Sequence, residues 1–410
     1  MRKIIGIFIV TLLIATTFSQ VSACTGFTAS KDDTILVGAN HDWTPNFNVY
    51  MHTFPAEEGK YGRVIFEFNF PLLIEKYPYY LPDYIVPKQG MNDQGLYFDL
   101  LFTPDLIPVN SSDKPTFDHD DPDYYQYAIW AYCLAKCSTV SEVLEIFDEY
   151  NLEAMYFIQV FVVDKYGDSA IIEGDDIIYR EGDFQVVSNF FQSNPELGSM
   201  TNGFERYNIA VSMIENMTDL SDEYFRTICN ATHQSGTVFS NVYDLTQGIF
   251  YVNYYQNYEK TLEFDLNEEL TKGERNIHLG SLFELEDNQP PEKPSAPTGD
   301  INGTPRTDYE YRAAKPTDPN GDKLMMLFDW GDGSDSNWIM APVFGSIKAT
   351  HKWTEQGTYE IKVKAIDQFG AESEWSDPLS VSMPKTKSIN DINPWIFRLI
   401  QRFPFLEFLL

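Results

Sequence analysis

A cysteine placed directly between an apolar leader and a strand pattern constrains this chain more than any other feature. Arg2 and Lys3 precede an almost wholly apolar run over residues 4–18, and small residues lead up to Cys24. This order predicts a secretory signal peptide over residues 1–23 that is cut before Cys24. A membrane anchor is the weaker alternative, because the run is short for a span of roughly 20 residues.

The chain is strongly acidic, with a net charge of −32 over 410 residues. Such a charge repels nucleic acid and anionic lipid over about a Debye length, so no nucleic-acid partner is expected. The four cysteines show no zinc-ligand spacing, and no metal or cofactor is expected. Cys133 and Cys137 stand four apart in a helical pattern, which places their Cβ atoms too far apart for a disulfide. Both are expected to be buried free thiols, and a pairing of Cys229 stays open.

Changes of pattern along the chain divide it into five segments. Blocks of strands between blocks of helices predict an α+β layered domain, and clean alternation over residues 358–366 predicts a small β-sandwich. A T-x-x-E capping box at Thr139 and Glu142 marks one helix start. The expected segments are a signal peptide over residues 1–23, the α+β domain over 24–285, a Pro-rich linker over 286–299, an immunoglobulin-like sandwich over 300–385, and an amphipathic aromatic tail over 386–410.

Three interpretations of Cys24 compete, and the first two exclude each other. In a lipoprotein, the cysteine sulfur after cleavage carries a lipid. In an N-terminal nucleophile, cleavage releases an α-amine with a pKa of about 7.7–8.0, which can accept the proton of the thiol on the same residue. The third interpretation is an incidental cysteine. Strand pattern begins at Thr25 without the Ser/Gly-rich tether typical of a lipid anchor, which favours the nucleophile.

Motifs behind the cleavage site extend this interpretation. The stretches "CTGFTASKDDTILVGANHDW", "GMNDQGLYFDLLF", "VVSNFF", "GFERYNIA" and "GTVFSNVYDLTQGIFYVNY" follow one another in order. Together they make residues 24–265 resemble the choloylglycine hydrolase and penicillin V acylase family, the cysteine-type linear amide C–N hydrolases of the Ntn class. The resemblance implies an αββα sandwich and hydrolysis of an amide between an acyl group and an amine.

The family's functional residues can be placed motif by motif. The resemblance implies that Cys24 is the nucleophile, that Asp42 holds the α-amine, and that Asn189 donates to the oxyanion. It also implies that Arg206 braces the nucleophile. The alternatives are a strand-end turn residue for Asp42, an ordinary loop residue for Asn189, and a surface ion pair of Arg206 with its neighbour Glu205.

The sequence departs from the family pattern at two places. Ala39 stands where the family often has arginine, which removes a positive charge near the nucleophile and puts bile-salt specificity in doubt. The second oxyanion donor is not evident, because Asp99, Phe102 and Thr103 occupy its region. An α-amine makes a histidine base redundant, so His41 is expected only as a neighbour of the substrate pocket.

The C-terminal part carries a second resemblance. "FDWGDGSDS" and "GTYEIKVKAIDQFG" are similar to the PKD-type immunoglobulin-like domain of extracellular proteins, which implies a spacer or adhesive role. The aspartates of this part suggest either calcium binding or turn formation; they are Asp318, Asp322, Asp329 and Asp332. The tail pattern leaves weak membrane association open.

The expected protein is a secreted, extracellular hydrolase of a linear, non-peptide amide that acts on a small N-acyl substrate through a thioester on Cys24. Association with the cell surface through the C-terminal domain and tail stays open. Two rival functions also remain. One is an inactive, lipid-anchored surface protein for binding or adhesion, and the other is an N-acyltransferase that passes the acyl group to a second amine.

Overall fold

The computed structural model divides the chain into two compact units, with the boundary between Phe283 and Glu284. It describes residues 24–42, 49–69, 85–103, 114–115, 117, 128–152, 155, 158–194, 202–234, 236–283, 288–342 and 345–384. The expected signal peptide over residues 1–23 and the tail over 386–410 lie outside the described residues.

The first unit is built mainly from antiparallel strands. In chain order these are β1 (Cys24–Lys31), β2 (Thr34–Asp42), β3 (Val49–Phe54), β4 (Arg63–Asn69), β5 (Ile85–Asn92), β6 (Leu96–Phe102), β7 (Ile158–Asp164), β8 (Ser169–Glu173), β9 (Asp176–Tyr179), β10 (Phe184–Ser188), β11 (Thr237–Asp244), β12 (Ile249–Tyr254), β13 (Asn257–Asp265) and β14 (Arg275–His278). They form a six-stranded sheet in the order β10-β1-β2-β11-β12-β13 and an eight-stranded sheet in the order β14-β3-β4-β5-β6-β7-β8-β9.

Five α-helices accompany these strands among the described residues. They are α1 (Ile129–Lys136), α2 (Val140–Glu149), α3 (Asn202–Glu215), α4 (Asp222–Thr232) and α5 (Leu266–Thr271), and a 3-10 helix covers Leu279–Phe283. The expected capping box of α2 is present: the Glu142 N–H donates to Thr139 Oγ1 at 3.3 Å, and the Thr139 N–H donates to Glu142 Oε2 at 3.2 Å. None of the described helices has both the length and the apolar character needed to cross a bilayer.

Strands β1 and β2 are buried on both faces over most of their length, which suits their small and apolar residues. On one face, Phe27 and Val242 of the six-stranded sheet pack with Ala210 and Phe225 from α3 and α4. Helices α1 and α2 pack on β5, β6 and β7 of the eight-stranded sheet in the same way. Between the sheets, Phe66 of β4 lies 5.6 Å from Phe239 of β11, ring centre to ring centre. The start of β1 therefore lies inside the unit.

A glycine in β5 shows how closely the strands of the eight-stranded sheet approach. A Cβ on Gly90 would lie 2.3 Å from the carbonyl oxygen of Val64 and 3.1 Å from Leu134 Cδ2. We expect Gly90→Ala to destabilise the unit by about 1–3 kcal/mol or more, because a neighbouring strand's backbone cannot yield. Its melting temperature should fall by roughly 2–4 °C per kcal/mol.

A glycine without steric contacts provides the control for this prediction. A Cβ on Gly182 meets nothing within 4 Å, although its φ of +78° is unfavourable for alanine. Gly182→Ala should therefore cost about 1 kcal/mol through backbone strain alone. Equal melting temperatures for the two variants would contradict the steric argument.

The second unit contains six named strands in its described residues. They are β15 (Tyr309–Ala314), β16 (Leu324–Asp329), β17 (Ile339–Met340), β18 (Ser346–His351), β19 (Gly357–Asp367) and β20 (Leu379–Met383). β15 pairs with β18, and the others form a sheet in the order β17-β16-β19-β20. The core centres on Trp330 and Trp353. Residues 288–299 pack on this unit, where the Glu292 N–H donates to the Thr317 carbonyl at 2.9 Å.

Candidate active site

Cys24 begins β1 and lies between two partner strands. It pairs in register with His41 of β2, and its neighbour Thr25 pairs with Ser188 of β10. The Ser188 hydroxyl donates to the Cys24 carbonyl at 3.1 Å, and the backbone N–H of Asp42 donates to the sulfur. The cysteine is only 1% exposed. All four cysteines are buried free thiols, as expected for Cys133 and Cys137, and Cys229 makes no disulfide.

Asn189 follows β10 directly and holds the nitrogen of Cys24. The Cys24 N–H donates to Asn189 Oδ1, and Asn189 Nδ2 donates to the Phe102 carbonyl at 2.5 Å. Because residues 1–23 precede Cys24 in this chain, that nitrogen is a peptide N–H. Cleavage before Cys24 turns the same atom into an α-amine. The side-chain amide has two N–H groups, so Nδ2 can make a further hydrogen bond besides the one to Phe102.

Arg206 of α3 joins the other candidate residues into one network. Its guanidinium donates to Asp42 Oδ2 at 2.7 Å, to Asn189 Oδ1 at 2.9 Å and to Ser188 Oγ at 3.3 Å. Arg206 is 4% exposed, whereas Glu205 points to solvent. The arginine is therefore part of a buried ion pair with Asp42 and is not a surface residue. The four residues singled out in the sequence meet in one place.

The carboxylate of Asp42 is held at the end of β2. Besides Arg206, the hydroxyl of Thr237 on β11 donates to Asp42 Oδ1. Burial raises the pKa of Asp42 to about 6, although Arg206 and the Thr237 hydroxyl both act to lower it. A group with this pKa is ionised at neutral pH and becomes protonated in mild acid.

Burial also controls the protonation of the nucleophile candidate. It raises the pKa of the Cys24 thiol to about 11, with Asp99 and Asp42 adding to the rise and Lys88 opposing it. The thiol is therefore protonated at neutral pH and requires a base before it can attack a carbonyl.

Three residues with no assigned role in the motif comparison also surround the thiol. His41 Nδ1 lies 3.9 Å from Cys24 Sγ, and His41 Nε2 lies 3.3 Å from Asp99 Oδ1. Lys88 of β5 is 1% exposed, with its ammonium 4.1 Å from the centre of the Phe102 ring. Lys88 supplies a positive charge near Cys24. Asp99 is the only acidic residue in the apolar run LYFDLLF, and this was the one feature of the sequence that could have marked it as part of the site.

The four aspartates of the second unit for which calcium binding or turn formation was left open do not come together as a set. Asp318 and Asp322 offer carboxylate oxygens within 4.8 Å of one another and of Asp367, a residue outside the predicted group. Asp329 instead accepts the Gly331 N–H at 2.9 Å, and Asp332 lies 2.8 Å from His351 Nε2. For these last two residues the structure shows the other alternative, turn formation at the end of β16, which uses their carboxylates.

The comparison with protein families concerns the second unit. Residues 288–382 match the model of the PKD domain. They also resemble the solved PKD domain of an M14-like peptidase from a Thermoplasmatales archaeon, with 39% identity, 24% of this chain covered, 99% of that chain covered and a TM-score of 0.22. This C-terminal part of the chain belongs to the PKD domain family.

A second solved structure covers a larger share of the chain. The chain is similar to a variant of conjugated bile acid hydrolase from Clostridium perfringens, with 17% identity, 62% of this chain covered, 96% of that chain covered and a TM-score of 0.47. The resemblance expected from the motifs, to the choloylglycine hydrolase family and to a PKD domain, is thus found. No curated protein matches the chain.

Proposed function

We propose that the chain is exported, is cleaved before Cys24, and hydrolyses the linear amide of a small N-acyl substrate through an N-terminal cysteine nucleophile. One observation carries this proposal: the Cys24 nitrogen, Asn189, Arg206 and Asp42 form a continuous hydrogen-bonded network at the start of β1. The two sheets with their helix pairs also suit the αββα sandwich of the Ntn class.

The proposed reaction begins with proton transfer within Cys24. Once the leader is removed, the neutral α-amine accepts the thiol proton, and the sulfur attacks the carbonyl carbon of the substrate amide. Asn189 stabilises the oxyanion that forms; such a donor contributes about 2.7–4 kcal/mol in other hydrolases. The C–N bond then breaks, and the amine product leaves with a proton from the α-ammonium. The acyl group stays on Cys24 as a thioester.

Water completes the proposed cycle. The α-amine accepts a proton from water as the oxygen attacks the thioester carbonyl, and the resulting oxyanion again lies at Asn189. The C–S bond breaks, the carboxylic acid leaves, and the sulfur recovers its proton from the α-ammonium. Ionised Asp42 holds Arg206, and Arg206 holds Asn189 Oδ1, so the network keeps the oxyanion donor in place. No step in this cycle requires a cofactor.

The burial of Cys24 argues against the lipid-anchored rival. Cys24 pairs with His41 from the first residue of β1, and its sulfur accepts the N–H of Asp42 inside the unit. A lipid on that sulfur would have to occupy the buried interior of the unit beside His41. An N-acyltransferase remains a second possible function with the same thioester. The two functions differ only in whether water or a second amine takes the acyl group from Cys24.

Processing and turnover together test the proposal. The exported protein should begin at Cys24, with an intact mass that lacks a lipid increment. Incubated with a panel of N-acyl amides, it should release equal amounts of acid and amine. A lipid-sized mass increment, or cleavage at another residue, would overturn the proposal. Transfer of the acyl group to an added amine in preference to water would assign the N-acyltransferase function instead.

The pKa of Asp42 predicts the acidic limit of this activity. Below pH 6 we expect kcat/KM to fall by a further factor of about ten by pH 5, beyond the loss from protonation of the α-amine, as Asp42 protonates and releases Arg206. Thr237→Val removes a donor that favours the ionised carboxylate, so this limit should move to higher pH. The measurement is the pH profile of kcat/KM for both proteins.

An exposed threonine of the same unit is the control for this change. Thr227 donates to the Glu223 carbonyl within α4, away from Asp42. Thr227→Val should leave the acidic limit where it is in the unaltered protein. An unshifted limit in Thr237→Val would show that another group, and not Asp42, sets it.

A further inference from the structure

Cys24, His41 and Asp99 lie in a line inside the first unit. The sulfur is 3.9 Å from His41 Nδ1, and the other ring nitrogen, Nε2, is 3.3 Å from Asp99 Oδ1. The three side chains come from β1, β2 and β6, and both His41 and Asp99 are fully buried. A thiol, an imidazole and a carboxylate in this order can act as nucleophile, base and the group that orients the base.

Packing fixes the direction in which the imidazole points. The His41 ring stacks on Phe239, with 4.7 Å between ring centres and 13° between planes. The register of β1 and β2 sets His41 directly opposite Cys24. One ring nitrogen therefore faces the sulfur while the other faces the carboxylate. The separation of 3.9 Å is longer than a catalytic hydrogen bond, which commonly tightens only when substrate is bound.

The charges around the line favour a neutral imidazole beside a thiol. The charged groups that face it are Lys88 of β5, Asp42 at the end of β2 and Arg206 of α3. Burial, and then Lys88, hold the pKa of His41 well below its usual value, so the ring is neutral and one of its nitrogens is unprotonated, while the same shift makes it a weaker base towards the thiol. Burial raises the pKa of Asp99 to about 7, and Lys88 opposes this rise and favours the carboxylate.

The surroundings of the Cys24 nitrogen make a second base useful. That nitrogen and the Arg206 guanidinium share one acceptor, Asn189 Oδ1. An arginine so close disfavours a second positive charge on the α-amine, although Asp42 partly offsets this effect. The imidazole approaches the sulfur without contacting this acceptor.

We infer that His41 is a catalytic base for Cys24 and that Asp99 is the residue that positions it. The inference rests on the proposed function for the identity of the substrate. The activation of the Cys24 thiol by His41 does not depend on which substrate is hydrolysed. In place of the α-amine, His41 Nδ1 takes the thiol proton as sulfur attacks the amide carbon, and the amine leaves with that proton. Water then gives its proton to Nδ1 while its oxygen attacks the thioester, and the sulfur takes that proton back. As His41 takes up the proton, its Nε2–H turns to Asp99 Oδ1, which lies 3.3 Å from Nε2 but is not hydrogen-bonded to it in the resting geometry.

A chain that keeps Ala23 in front of Cys24 separates the two bases. In that chain the Cys24 nitrogen is a peptide N–H and accepts no proton, so only His41 remains beside the sulfur. The readout is the rate of alkylation by iodoacetamide between pH 5 and 9, with the modified cysteine identified by peptide mass. Cys229, buried and free in the same unit, is the internal standard for an unactivated thiol.

The inference predicts three results from this experiment. In both the mature and the Ala23-extended chain, Cys24 should react at least about tenfold faster than Cys229 at pH 7. His41→Gln should lower that rate by about tenfold in both chains, and Asp99→Asn should lower it less. In the mature chain, His41→Gln should also lower kcat for an N-acyl amide by about 10²-fold, as expected for the loss of a general base. His52→Gln, at a half-buried position of β3, should change none of these values.

Clear outcomes would overturn the inference. One is a Cys24 in the extended chain that reacts no faster than Cys229, because the α-amine would then be the only base. Another is an unchanged alkylation profile in folded His41→Gln; if that variant does not fold, the nearly isosteric Asp99→Asn decides by the same profile. Should Cys24 show a reactivity that depends on His41 while no N-acyl amide is hydrolysed, the proposed function fails and the base assignment stands.

Discussion

Cys24→Ala is expected to lower the rate of amide hydrolysis by about 10⁴-fold or more, which is the scale of loss when a hydrolase nucleophile is removed. The reason is chemical, because no thioester can form without the sulfur. Stability should change little, since one buried atom is deleted at a cost of about 1 kcal/mol. The measurements are kcat/KM with the best substrate of the panel and the melting temperature of the first unit.

Cys229→Ala is the matched control for this loss. Cys229 is as buried as Cys24 and also a free thiol, but it lies on α4 with its sulfur 4.0 Å from the Ala39 carbonyl. This variant should lose a similar small amount of stability and keep its activity. The activity of Cys24→Ser should be close to that of Cys24→Ala, because a serine hydroxyl is a far weaker acid than a thiol. Turnover by Cys24→Ala at the rate of the unaltered protein would remove Cys24 from the mechanism.

Arg206→Met is expected to destabilise the first unit by about 3–5 kcal/mol, because it leaves a buried carboxylate without its charged partner. Arg206 and Asp42 are 5% and 4% exposed in their side chains and lie 2.7 Å apart. A loss of this size lowers the melting temperature of a unit this large by roughly 6–20 °C. Hydrolysis should fall as well, because Asn189 loses the guanidinium that holds its Oδ1.

The pH dependence of this loss identifies its cause. Arg206 acts to lower the pKa of Asp42, so its removal raises that pKa above its present value of about 6. Asp42 then takes up a proton in mild acid, which relieves the buried charge. The destabilisation by Arg206→Met should therefore be larger at pH 8 than at pH 5. Asp42→Asn combined with Arg206→Met should cost less than the sum of the two single changes.

A half-exposed ion pair of the same unit is the control. Arg226 and Asp222 lie 2.7 Å apart on the surface of α4, where such pairs contribute about 0–1 kcal/mol. Arg226→Met should cost no more than that, at either pH. If Arg206→Met lost no more stability than Arg226→Met, the buried network would not be what stabilises the start of β1.

Local sequence signals predicted the elements around the site well. The T-x-x-E box marked the start of α2, and the sequence patterns predicted an α+β unit followed by a PKD-type domain, although the described first unit holds more strands and fewer helices than that pattern implies. The motif resemblance predicted that four residues form one candidate site; they are Cys24, Asp42, Asn189 and Arg206. It could not show their contacts, since Asn189 and Arg206 are each more than 160 residues away from the partners they bind on β1 and β2.

Other residues near Cys24 and in the second unit could not be recognised from their neighbours in the sequence. Lys88 lies in a strand that the sequence alone did not mark as part of the site, and Asp367 was not grouped with Asp318 and Asp322. The position of Thr237 beside Asp42 depends on a β-bulge in the pairing of β11 with β2. Each of these placements depends on pairing across sheets or between distant strands, which single-sequence patterns do not encode.

The amino-acid sequence by itself determined that a cysteine follows an apolar leader at the first residue of a strand, because signal peptides and strands are patterns of neighbouring residues. Only the tertiary structure decided what surrounds that cysteine. The pairing of β1 with β2 sets His41 opposite Cys24, and the packing of one sheet on the other brings Lys88 and Asp99 near the sulfur and withdraws all three side chains from water. Their protonation depends on that burial, and burial is a property of the folded chain as a whole.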